Sequence, residues 1–259
     1  MSKLKKLLAA EKLTAEQKDL VRKIKESFTD ETKKSYIKKK TFAPSSLGWG
    51  EGKCPRAWFI KFTGVDIEQT TSFKQKSNMD SGSDRHDFLQ KYLAANEELE
   101  IVIEQELKSI DPPIRAFADA VLKLGEEYIP LEIKTASDQA YGYRVSSFKP
   151  AAYNKLQLLI YCFILDAKLG LLFYENRNDF ENLIIPVFMA DEKEYMDYLV
   201  QWLRDVYAAF ESGFIPNFFE GKRKNSKICN ECVFAQQCED IGEVDGGKNI
   251  DLLVMPVVD

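Results

Sequence analysis

The sequence predicts a mixed α/β fold, a central mixed sheet with helices on both faces. Three observations lead there. Residues 100–109, 114–123 and 128–135 are short and rich in β-branched or apolar side chains. Asp111-Pro112-Pro113 and Gly125-Glu126-Glu127 break them apart, which is the pattern of a three-strand meander. Residues 150–166 then return to helical spacing through Leu156, Leu159, Ile160 and Phe163. Two further strand-like segments, 170–175 and 183–189, precede an amphipathic helix over 191–212. A meander, a helix, two strands and a helix make one layered domain.

The remaining elements follow in order. Residues 3–27 read as a helix, with Leu4, Leu7, Leu8, Leu13, Leu20, Val21 and Ile24 in an interrupted apolar stripe. A lysine-rich segment continues to Lys40, and small residues with Pro44 predict a loop over 43–50. Residues 54–63 read as a helix with Trp58, Phe59 and Phe62 on its apolar side. Another helix is expected over 83–96, capped by Asp80 or Ser81, and Asp191 is the expected cap of the 191–212 helix. The expected organisation is a basic N-terminal helical region (1–45), a main domain (46–240) and an acidic tail (241–259).

The chain has 259 residues, 45% hydrophobic and 30% charged, with a net charge of −5. This is a globular composition. Residues 1–40 hold 13 basic and 6 acidic side chains, whereas the rest holds 23 and 35. A basic arm on an acidic body is a distribution to test against nucleic acid. His86 is the sole histidine, which excludes multi-histidine zinc sites. Met1 to Leu20 lacks the apolar core of a signal peptide, and the longest apolar run, 156–165, is too short to cross a bilayer. A cytoplasmic, reducing location without a membrane is therefore expected, with the five cysteines as thiols or metal ligands. Gly242 to Lys248 matches GxxxxGK, but Asn249 follows it and no strand precedes it, so it is not read as a phosphate loop.

Two strand segments carry charge where apolar residues belong. Asp119 interrupts 117–121, and Glu132 and Lys134 interrupt 130–135. Residues two apart on a strand share a face, so Glu132 and Lys134 point the same way, and Asp119 joins them if the strands pair. Paired carboxylates suit Mg²⁺ or Mn²⁺, and an adjacent lysine can hold water and stabilise phosphate charge. The E-x-K pattern alone is common, and on its own it reads better as a surface ion pair. Its company is rarer. Gly82-Ser83-Asp84-Arg85-His86 opens the upstream helix, and Gln157 and Tyr161 sit four apart on the downstream one.

This order, G-x-x-x-H, Asp, E-x-K-T and Q-x-x-x-Y, resembles the RecB-type branch of the PD-(D/E)xK nuclease superfamily over about residues 54–238. The resemblance implies a restriction-endonuclease-like core and a DNA exonuclease. It implies metal ligands at His86, Asp119, Glu132 and the Ile133 carbonyl, a water-orienting Lys134, and DNA-contacting or supporting roles for Gln157 and Tyr161. Asp119, Glu132 and Lys134 would be the catalytic set. The pattern departs at Ala116, where the family commonly has Gly, in the lack of a Pro before Asp119, and in Glu132 standing for Asp. Single-stranded DNA or duplex ends, cut 5′-to-3′, are the implied substrates. The implied setting is recombination, repair or spacer acquisition, with a helicase or recombination or adaptation proteins as partners and an oligomer possible. The alternative is a non-catalytic DNA-end-binding subunit.

Cys229-x2-Cys232-x5-Cys238 and the distant Cys54 supply four thiolates, which fit either structural Zn²⁺ or an iron–sulfur cluster. The resemblance favours a 4Fe–4S cluster. CRISPR-associated RecB-like exonucleases and AddB-type subunits have one cysteine ahead of the nuclease core and three behind it. Cys162 reads as an inert core thiol. The cations of 222–227 could meet phosphates, and Trp49, Trp58 and Phe59 either stack on bases or fill the core.

Overall fold

The computed structural model describes residues 13–217, 226–244 and 246–258. The first part of the expected N-terminal helix and most of the 222–227 basic run lie outside these residues.

The chain enters through α1 (Ala15–Glu26), which Thr14 and Gln17 close in a reciprocal cap. The lysine-rich segment that follows is a strand, β1 (Glu31–Ile37). It pairs antiparallel with β2 (Val65–Thr71) in a separate two-stranded sheet. Lysines at alternate and adjacent positions hid this strand, because both of its faces are largely exposed. Between the two strands, the expected loop instead forms α2 (Pro44–Leu47). Pro44 occupies the first turn, where its missing N–H costs nothing, and Leu47 is fully buried. The helix expected over 54–63 is α3 (Pro55–Thr63).

Helix α4 (Phe73–Ala94) starts ten residues earlier than expected. Ser72, with Gln75, is its cap, so Asp80 and Ser81 are interior and Gly82 opens nothing. The meander forms as β3 (Ile101–Ser109), β4 (Ile114–Leu124) and β5 (Glu127–Ala136). Two helices then cross over, α5 (Asp138–Ser147) and α6 (Ala152–Leu165), the first of them unforeseen. Strands β6 (Leu169–Asn176) and β7 (Asn182–Phe188) complete a five-stranded sheet in the order β3-β4-β5-β6-β7. Only β5 and β6 run parallel, which is why that connection needs helices. Helix α7 (Lys193–Glu211) follows a 3₁₀ turn that contains Asp191, so Asp191 is not its cap. Two short helices, α8 (Ser226–Cys229) and α9 (Ala235–Ile241), end the regular structure.

Helices cover both faces of the sheet. On one, α2, α3, α6 and α7 bury Leu47, Trp58, Leu156, Leu159, Trp202 and Leu203. On the other, Leu89 and Leu93 of α4 pack on Ala120, Leu131 and Ile133. This is the mixed central sheet flanked by helices that a restriction-endonuclease-like core requires. Trp58 and Phe59 belong to the core, whereas Trp49 is exposed and packs on Tyr153. The apolar tail is anchored too. Leu253 is buried, and the Asp251 and Val254 carbonyls accept from Trp202 Nε1–H and the Tyr195 hydroxyl. No helix among the described residues is long and apolar enough to cross a membrane.

Candidate active site

The site lies where the sheet opens. Strands β3 and β4 pair through Ile103–Ala120 and Gln105–Ala118, but the step that would set Glu104 opposite Asp119 is broken. Glu104 there takes φ +51°, a left-handed conformation costly for a side chain with a Cβ. Pairing of β4 with β5 ends at Ala120–Leu131, one step short of Asp119 and Glu132. Asp119 therefore belongs to neither ladder, and the backbone groups released around it need other partners.

Side chains supply those partners. Asp119 Oδ2 accepts the Ile133 N–H at 2.6 Å. Gln90 Nε2 donates to the Asp119 carbonyl at 3.1 Å and to Glu104 Oε1 at 2.6 Å. The Tyr161 hydroxyl donates to the Phe117 carbonyl at 3.0 Å and accepts from Gln157 Nε2 at 2.6 Å. Burial, then the charge of Glu132, pushes the Tyr161 hydroxyl up, so it remains a donor. Gln157 and Tyr161 thus brace the strand that carries Asp119. Gln90 does the same from α4, and the sequence reading missed it. The available signal was its position four residues after His86 on the same helix.

His86, Asp119, Glu132 and Lys134 come together. His86 Nδ1 stands 3.5 Å from Asp119 Oδ1. Lys134 Nζ contacts Glu132 Oε1 on the shared face of β5. Glu132 is 1% exposed, and among the described residues its second oxygen accepts no hydrogen bond, although the Tyr161 hydroxyl is near enough to feel its charge. Burial raises its carboxyl to about 7, against the attraction of Lys134 and with the repulsion of Asp119. Burial also works against the Lys134 ammonium, but Glu132 beside it outweighs this and holds it above its usual value. A buried carboxylate oxygen lacking any donor suits a hard cation, and the donor set is the right one for Mg²⁺ or Mn²⁺. Even so, among the described residues no three His, Cys, Asp or Glu side chains converge tightly enough to enclose one metal ion.

Beside this centre runs a basic groove. Lys38, Lys39, Lys40 and Arg115 line it together with Phe117, Gln157 and Tyr161, and no acidic side chain is among its lining residues. It connects the brace residues to a row of cations of the kind that phosphates require.

The four separated cysteines meet at a second place. Cys54 at the start of α3 and Cys229, Cys232 and Cys238 around α8 and α9 line one cavity, walled by Ala57, Ile60, Ile228, Phe234 and Ala235. None of the five cysteines is in a disulfide. Burial raises the Cys54 and Cys232 thiols to about 11. One Zn²⁺ needs thiolates within its own bond length of about 2.3 Å. The four sulfurs share a cavity without closing on one ion. Cys162 is buried in α6, against β6.

No protein-family model and no curated protein matches the chain. Among solved structures it is similar to SSO0001, with 20% identity and a TM-score of 0.40 over 84% of this chain and 92% of that one. It is also similar to the alkaline exonuclease LHK-Exo from Laribacter hongkongensis, with 10% identity and a TM-score of 0.48 over 66% of this chain and 90% of that one. For LHK-Exo in complex with dAMP the values are 11% and 0.43, over 52% and 69%. At these scores the likeness assigns no residue a role, and the chemistry of the site rests on the geometry of the chain itself.

Proposed function

We propose that this chain is a divalent-metal-dependent nuclease that hydrolyses phosphodiester bonds in DNA. The observation that carries this reading is Glu132. It is a fully buried carboxylate with one oxygen that accepts no hydrogen bond among the described residues, set beside Asp119 and Lys134 on the central strand where the β4–β5 ladder ends. Lys134 compensates one oxygen of this group, and a bound divalent cation would compensate the other.

In this reading Asp119, Glu132, His86 and the Ile133 carbonyl hold Mg²⁺ or Mn²⁺. Such a metal, when bound, supplies an acidified water and stabilises charge on the phosphoryl oxygens. Lys134 orients the attacking water and counters charge on the phosphate. Gln157 and Tyr161 keep Asp119 in place by bracing Phe117. Lys38 to Lys40 and Arg115 hold the backbone of the substrate strand. The four cysteines that line one cavity hold a 4Fe–4S cluster, with structural Zn²⁺ as the alternative, and so clip the C-terminal segment to α3. Cutting from an end of single-stranded DNA, 5′-to-3′, is the finer form of the proposal.

One observation favours the second reading, a DNA-end-binding subunit without catalysis: the ligating side chains do not close on a single ion. The deciding experiment incubates end-labelled single-stranded DNA with anaerobically purified protein in Mg²⁺, Mn²⁺ or EDTA, with matched RNA as competitor. Metal-dependent cleavage supports the nuclease, and the position of the label gives its polarity. Tight DNA binding with no cleavage in either metal supports the binding subunit instead.

A further inference from the structure

The hairpin between β6 and β7 carries an unexplained strain. Phe180 has φ +64°, a conformation suited to Gly or Asn and costly for an aromatic residue. Its ring is not buried as compensation, being 57% exposed. The turn is tightly held, with the Phe180 N–H donating to the Asn176 carbonyl at 3.0 Å and the Asn176 N–H donating to the Glu181 carbonyl at 2.8 Å. Strain kept at an exposed ring points to what the ring faces.

It faces Arg85. That guanidinium lies 4.7 Å from the Phe180 ring and 4.3 Å from the Phe88 ring. Glu175, 2% exposed, fixes it through two bonds of 2.7 Å. The result is a rigid floor between two half-exposed aromatic rings. The cleft above it also takes in Thr135 and Asp84. Thr135 follows Lys134 on β5, and Arg85 precedes His86 on α4. The cleft thus sits on the two elements, α4 and β5, that also carry His86 and Lys134, although Thr135 and Lys134 point to opposite faces of β5 and none of His86, Asp119, Glu132 and Lys134 lines it.

Its charge differs from that of the basic groove. Glu175 neutralises Arg85, and Asp80 and Asp84 outnumber Arg177, which donates to Thr135, so the lining is acidic on balance where the groove is basic. Aromatic faces with carboxylates at their edge suit a flat ring bearing N–H donors. We propose that this cleft seats an unpaired nucleobase of the substrate strand, stacked against Phe180 and Phe88, while the lysine groove holds the backbone. The proposal rests on the nuclease reading above and gives its single-stranded substrate a physical basis in named residues, because paired bases keep their faces inside the duplex.

The test measures binding of a single-stranded oligonucleotide carrying 2-aminopurine, and of the matched duplex, in Ca²⁺, with wild-type cleavage in Mg²⁺ and Mn²⁺ run alongside. The variants are Phe180→Gly, whose backbone suits φ +64°, and Phe180→Trp. The expected result is a loss of about 10-fold in single-strand affinity for Phe180→Gly, recovery in Phe180→Trp, and unchanged duplex affinity. Wild-type cleavage together with unaltered single-strand binding by Phe180→Gly would overturn the base seat and leave the nuclease reading standing. Equal losses toward both substrates would overturn it as well. A wild-type protein that neither binds nor cuts DNA would overturn both.

Discussion

Removing the charge of Glu132 is expected to change how stability depends on pH. Its carboxyl rises from an ordinary 4.5 to about 7 in the folded protein, through burial first and the repulsion of Asp119, against the pull of Lys134. The folded state thus binds the proton more tightly than the unfolded chain. The stability this contributes is fully present below pH 4.5 and is lost as pH rises toward 7. A shift of that size corresponds to about 3 kcal/mol at 1.36 kcal/mol per unit. In EDTA, urea unfolding from pH 4.5 to 8 is expected to show wild-type stability falling by that extra amount relative to Glu132→Gln, which carries no charge to bury. Added Mn²⁺ is expected to recover stability in the wild type at pH 8 and not in the variant. Parallel pH profiles for the two proteins would refute the reasoning, because they would mean that Lys134 fully compensates the buried carboxylate.

Other perturbations read other parts of the structure. A Cβ added at Gly170 would lie 2.7 Å from Cys162 Sγ and 2.8 Å from Leu158 Cγ, so Gly170→Ala is expected to cost about 1–3 kcal/mol in thermal unfolding. Tyr161→Phe removes the donor to the Phe117 carbonyl, with an expected loss of about 1–2 kcal/mol and lowered cleavage without loss of DNA binding. Cys54→Ala is expected to abolish iron and sulfide binding in anaerobically prepared protein and to speed proteolysis around 226–244. A colourless, zinc-loaded wild type would contradict the cluster assignment.

Much of the sheet was legible because its signals are local. The meander shows in β-branched runs between breakers, and the β5–α6 region in a change of period. The face shared by Glu132 and Lys134 follows from strand geometry alone, and the structure places the two in contact. What was hidden depends on distance in sequence. β1 forms only by pairing with β2, across α2 and α3, and its lysines carry no apolar alternation. The start of α4 was misplaced because Asp80 and Ser81 resemble caps, while Ser72 with Gln75 completes the reciprocal one. The role of Gln90 arises only because the ladder breaks at Asp119, and nothing in either strand announces that break. The Arg85–Glu175 pair is ninety residues apart, visible only once the helix lies over the sheet.

The most direct test of the catalytic centre is single-turnover cleavage by Lys134→Ala beside the wild type, with DNA affinity measured on the same samples. Lys134 does not line the basic groove, so its loss leaves that groove in place; because it offsets the buried Glu132 carboxylate, thermal unfolding of the same samples verifies that the variant is folded. The account predicts Mg²⁺- or Mn²⁺-dependent cleavage by the wild type. It predicts a fall of about 100-fold or more in Lys134→Ala, the scale on which one charge-stabilising group contributes, with DNA binding retained. Cleavage by Lys134→Ala at the wild-type rate would contradict it.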